Sequence, residues 1–158
     1  MQPSAEACNA YGQIRVNKVQ VTARRLGRAG LVPFVAAPAL LAMLPASRVL
    51  ICELLADYAL GIIAFLLGIW WGMGLIRRSA RALVMSNAIF LAALLGRLLD
   101  DAPFFVLAAA ILVLTLAVER SHALFRRQPP YYARLRLELT AVASIALLLS
   151  AALAAQVN

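Results

Sequence analysis

Five apolar runs, separated by short charged connections, set the pattern of this chain. The longest uncharged stretch, Tyr58 to Ile76, runs for nineteen residues. As a helix rising 1.5 Å per residue it reaches about 28 Å, close to the hydrocarbon thickness of a bilayer. The same pattern predicts helices over about 30–45, 49–76, 82–99, 102–118 and 139–155, with a basic interfacial segment at 119–138. The expected fold is all-α: an integral membrane five-helix bundle forming one domain over 29–158, behind a polar basic tail at 1–28. The first crossing is short, and Pro38 within it should kink the helix and call for a neighbouring donor to the freed carbonyl. Pro33 is expected in the first turn, where proline is tolerated.

Composition agrees with a membrane protein. Hydrophobic residues make up 64% of the 158, with a mean hydropathy of +0.87, against about 45–50% in soluble domains. The 15 Lys and Arg against 7 Asp and Glu would suggest nucleic acid if they formed a soluble patch. They lie between apolar runs instead, so no nucleic-acid partner is expected. Their distribution orients the chain. With the N-terminus inside, the inside segments carry Arg15, Lys18, Arg24, Arg25, Arg28, Arg77, Arg78, Arg81, Arg120, Arg126, Arg127, Arg134 and Arg136, leaving Arg48 and Arg97 outside. The positive-inside rule then predicts the N-terminus inside and the C-terminus outside. The expected location is the bacterial inner (cytoplasmic) membrane, with a retained tail. An Arg-rich, acid-poor tail also suits a presequence, which makes the mitochondrial inner membrane the alternative.

Candidate chemistry is sparse. On the second helix, at 100° per residue, Glu53, Asp57, Gly61, Ala64, Gly68 and Gly72 fall within about 100° of one another. Trp71 borders this face and Trp70 points away from it. Gly61, Ala64, Gly68 and Gly72 form a packing face for another helix, and Gly68 with Gly72 is a GxxxG pair. Packing within the bundle is the favoured reading; contact with a second copy or another membrane protein is the alternative. Glu53 and Asp57 are candidate functional carboxylates for proton or cation movement, although the first turns of a helix favour negative charge without any such role. His122 stands alone, and Cys8 and Cys52 have no zinc or redox spacing, so no metal is expected. Ser86 and Asn87 suit hydrogen bonding between helices. The absence of a serine elbow, a phosphate loop and a CxxC motif points away from an enzyme and from any cofactor.

In the segment RRQPPYYARLRLE, Arg126 to Glu138, Tyr131 and Tyr132 suit the headgroup level. Arg126, Arg127, Arg134 and Arg136 are the candidate contacts to anionic lipid or to a partner on the inside.

Three stretches carry a family resemblance. YALGIIAFLLGIWWG, Tyr58 to Gly72, resembles the aromatic and glycine-rich motif of the domain of unknown function 3429 family, which includes the transmembrane protein 69-like membrane proteins. Tyr58, Ile62, Phe65, Leu66, Gly68, Trp71 and Gly72 fit that motif, whereas Ala59, Ala64 and Leu67 replace its Gly, Ser and Gly. GLVPFV, Gly30 to Val35, is similar to the family's first-helix start. PPYYARLRLELT, Pro129 to Thr140, is similar to its segment before the last helix through Pro130, Tyr132, Arg134 and Arg136. The resemblance implies a five-helix inner-membrane protein, bacterial or mitochondrial, without an established activity.

The expected function is that of a small polytopic accessory, assembly or scaffold component. Its partners would be membrane lipids and either another membrane protein or a second copy of itself, met through the small-residue face. A small transporter or proton/cation conductor using Glu53 and Asp57 is the alternative.

Overall fold

The apolar runs form five helices in a computed structural model that describes residues 18–121 and 130–156. Helix α1 covers Lys18–Met43, α2 Arg48–Ile76, α3 Ala80–Gly96, α4 Asp101–Ser121 and α5 Pro130–Ala155. A 3-10 turn, Pro45–Ser47, joins α1 to α2, and the described residues contain no strand. The stretches containing α1, α2, α4 and α5 are long and apolar enough to cross a membrane, while α3 is apolar but only 17 residues long. Four such helices describe a multi-pass membrane protein.

Two helices begin well before the expected boundaries. The final helix starts at Pro130 rather than near 139, with proline at a position where its missing N–H costs nothing. The described part of the interfacial segment, 119–121 and 130–138, is therefore helical. The first helix already occupies 18–29, within the stretch read as a polar tail, and resumes at Val32–Met43 after a break at Gly30 and Leu31. Pro33 is responsible. In a helix that has already run for several turns, its ring meets the carbonyl four residues back and offers no N–H. The chain tightens there, with the Leu31 N–H donating to the Arg28 carbonyl at 3.0 Å. The Tyr58 hydroxyl donates to the Gly30 carbonyl at 2.8 Å, and Phe34 meets the Tyr58 ring edge-on with centroids 5.2 Å apart. The donor expected near Pro38 thus serves Gly30 instead, and Pro38 sits inside the second segment without ending it.

The turn between α2 and α3 is tight. Arg78 takes a left-handed conformation, φ 52°. The Ser79 N–H donates to the Gly74 carbonyl at 2.8 Å and the Arg78 N–H to the Leu75 carbonyl at 3.2 Å. This is the paired closure of a Schellman end, with arginine where glycine is usual. Ser79 also caps α3, its hydroxyl accepting from the Ala82 N–H. A Cβ at Gly74 would lie 3.0 Å from Leu83, and one at Gly96 would run into the side chain of Leu107.

Helix α2 touches α1, α3 and α4, while α5 packs along α4 and the second segment of α1. Phe34, Ala56, Ala59, Ile63, Trp70, Phe104, Phe105, Leu112 and Leu147 fill the centre, each no more than 2% exposed. The outside carries Leu50, Phe65, Val84, Val113 and Ile145, as expected where the solvent is lipid. Contacts between Trp70, Glu119 and Arg136, and between Arg28 and Glu138, bring the start of α1 and α5 together with the ends of α2 and α4. That end of the bundle also bears Arg24, Arg25, Arg77, Arg78, Arg81, Arg120 and Arg134, and it is called the basic end below.

Candidate functional site

Near the basic end, α2, α4 and α5 converge on a buried polar cluster. Thr115 and Glu119, four residues apart, share one face of α4; Arg136 and Thr140, also four apart, share one face of α5. The Arg136 Nε–H donates to Glu119 Oε2 at 3.1 Å, its Nη1 to Thr140 Oγ1 at 2.9 Å and its Nη2 to Thr115 Oγ1 at 3.3 Å. Trp70 closes the cluster from α2, its indole N–H donating to Glu119 Oε1 at 2.9 Å. The Thr115 hydroxyl donates in turn to the Leu112 carbonyl at 2.8 Å. The side chains of Glu119 and Arg136 are each 6% exposed. Ions taken this far from water are tolerated only when paired and hydrogen-bonded, and here both carboxylate oxygens and three guanidinium N–H groups have partners.

Beside this cluster lies a cavity of about 390 Å³ between α1, α2, α4 and α5. Phe34 and Leu31 line it from α1, Ile62 and Phe65 from α2, Leu112 from α4, and Tyr132, Arg136 and Thr140 from α5. All three stretches that carry the family resemblance therefore contribute walls to one hollow.

The small-residue face of α2 lies elsewhere. Gly61 and Gly68 are exposed, Ala64 and Gly72 are half-buried, and a Cβ added at Gly61, Gly68 or Gly72 would meet nothing within 4 Å. Packing of this face inside the bundle is therefore not what the described residues show. Helix α2 makes its close inward contacts through Ala56, Ala59 and Gly74. Ala64, Gly68 and Trp71 instead form one wall of an open groove of about 280 Å³, opposite Ser86, Asn87 and Phe90 of α3. Ser86 and Asn87 donate back to the Leu83 carbonyl, at 2.9 and 2.8 Å, rather than to another helix.

Glu53 is exposed, and Asp57 accepts from the Arg97 Nε–H at 3.2 Å. Both lie at the end opposite the basic one, and neither lines the groove or the cavity. Of the candidate inside arginines, Arg134 is exposed and Arg136 is not. The two lie 200° apart on a helix, so one faces outward where the other must face α4. Arg136 is therefore a buried partner of Glu119 and not an exposed arginine of the surface. His122, Arg126 and Arg127 lie outside the described residues. Pro130 begins α5, Tyr132 is half-buried and Cys52 is a buried free thiol.

Sequence reasoning missed Glu119, Trp70, Thr115 and Thr140. The available signal was the matching i, i+4 spacing of Thr115 with Glu119 and Arg136 with Thr140. It becomes visible only once α5 is started at Pro130 and α4 is carried past Val118.

No curated protein and no solved structure matches the chain. Residues 19–152 match a family model whose span takes in the described part of α1 as well as the cluster and the cavity. The chain belongs to the family described as Protein of unknown function (DUF3429).

Proposed function

We propose that this protein is a non-enzymatic accessory, assembly or scaffold component of a bacterial inner membrane, or of the mitochondrial inner membrane, with its basic end on the cytoplasmic or matrix side. Its work is lateral association through the open face of α2. The observation that carries this reading is the empty space over Gly61, Gly68 and Gly72. Small residues in membrane helices let another backbone approach closely, and among the described residues no helix makes that approach. The groove formed with Ser86, Asn87 and Phe90 offers the approaching helix both apolar and polar contacts. The arginine distribution supports the orientation.

Native mass measurement on protein extracted in mild detergent tests the proposal. Gly68→Leu is expected to deplete the associated species, homomeric or with a second membrane protein, about tenfold. Its thermal midpoint should stay close to that of the unmodified protein, because the new Cβ meets no neighbouring atom and the rest of the side chain enters an open groove. Assembly that survives Gly68→Leu unchanged would sink the proposal.

A further inference from the structure

We propose that the cavity between α1, α2, α4 and α5 holds one acyl chain of an anionic phospholipid, its headgroup at the Tyr132–Arg136 end. This reading uses the neighbouring face of α2, that of Ile62, Leu66 and Ile69, and does not depend on lateral association.

The cavity has the dimensions of one leaflet. Its walls extend from Ala23 to Phe34 on α1 and from Tyr132 to Ala143 on α5. The α5 wall, in an unbroken helix, is about 16 Å long, and half of a hydrocarbon core of about 30 Å is about 15 Å. The cavity volume falls within the range of about 300–1,000 Å³ usual for small-molecule sites. Apart from Gly27 and Gly30 on α1, the walls are apolar side chains except for Tyr132, Arg136 and Thr140 on α5. The opening lies on the outer surface of the bundle, since the lining residues Leu26 and Phe65 are 68% and 67% exposed. A ligand entering there comes from the bilayer.

Charge selects the headgroup. Arg136, which lines the cavity, uses three of its five N–H donors on Glu119, Thr115 and Thr140, which leaves two. The pair with Glu119 is neutral as a whole, so the preference for an anion comes from the charge around this end of the bundle. Arg24, Arg25 and Arg28 on α1 and Arg134 on α5 lie near the level of the cavity's basic end, exposed on helix faces turned away from its lining. Against them stands Glu138, held by Arg28 at 3.3 Å. That end of the bundle is thus net positive and suits a lipid phosphate at the membrane surface.

The test is native mass spectrometry of the full chain titrated with phosphatidylglycerol or phosphatidylcholine of equal chain length. One phosphatidylglycerol is expected to remain bound, retained about tenfold better than phosphatidylcholine. Millimolar inorganic phosphate should not displace it. Ala23→Phe, which fills the mouth and leaves every polar group in place, should lower retention about tenfold, and Tyr132→Phe should narrow the headgroup preference. Equal retention of the two lipids overturns the proposal. So does displacement by inorganic phosphate alone, retention undiminished in folded Ala23→Phe, or a second copy of the chain seated at the mouth in place of lipid. The headgroup comparison on the unmodified protein decides the matter even if Ala23→Phe fails to fold.

Discussion

Of the three arginine–carboxylate pairs that join helices among the described residues, two lie at opposite ends of the bundle with nearly the same N–O distance. Arg97 reaches Asp57 at 3.2 Å, with side chains 28% and 70% exposed; Arg136 reaches Glu119 at 3.1 Å, with both side chains 6% exposed. The first pair is solvated and joined by one hydrogen bond, with the Arg97 guanidinium also 5.8 Å from the Phe104 ring centre. The second has lost its water and recovered the interactions from Trp70, Thr115 and Thr140. Equal geometry therefore carries unequal consequence. An exposed pair gains little over its hydrated parts, whereas a buried ion left alone has nothing to replace its partner.

The largest expected effect follows from breaking the buried pair on one side. Arg136→Met leaves Glu119 without a cation in the interior and should lower unfolding stability in detergent by about 3–5 kcal/mol. Removing both charges, as Glu119→Leu with Arg136→Met, should restore most of the loss, because no stranded ion remains. A single-variant loss no greater than that of the exposed pair would show the two pairs to be energetically alike. Next comes Trp70→Phe, which keeps an aromatic ring but removes the N–H that serves Glu119 Oε1. A loss of about 1–3 kcal/mol, measured in the same denaturation assay, is expected for an ionised acceptor deprived of a buried donor. Smallest is Asp57→Asn, expected to change stability by about 1 kcal/mol or less and to remove what salt dependence this pair contributes. A loss of several kcal/mol there would make the exposed pair the more important of the two.

The same comparison explains what could be read from the residues alone. Asp57 drew attention because it precedes a long apolar run and shares a helical face with Glu53 and a row of small residues; those are local facts. Glu119 and Arg136 drew little because each sat at the edge of an apolar run, where charge is ordinary, and the sites that give them meaning are 17 residues apart across an intervening connection. Arg136 looked like an interfacial arginine as long as the last helix was started near Leu139. Trp70 was correctly turned away from the small-residue face, but its partner on α4 had no trace in local spacing. The small-residue face was itself legible as a face, since periodicity alone defines it. Its environment was not: nothing in the spacing of Gly61, Gly68 and Gly72 says whether another helix of the chain covers them.

By itself the sequence determined the class, the number of helices, most of their boundaries and the family, because apolar run length, helical period and ordered motifs are properties of neighbouring residues. It also determined that charge would concentrate at one end. Only the tertiary structure decided which faces meet. It placed Tyr58 on the carbonyl of Gly30, left the small face of α2 open, and buried Glu119 against Arg136 beside a cavity of about 390 Å³. The physical reason is that each of these depends on the rotation and depth of one helix relative to another. Those are set by packing over the whole bundle, and the pattern along any one helix leaves them free.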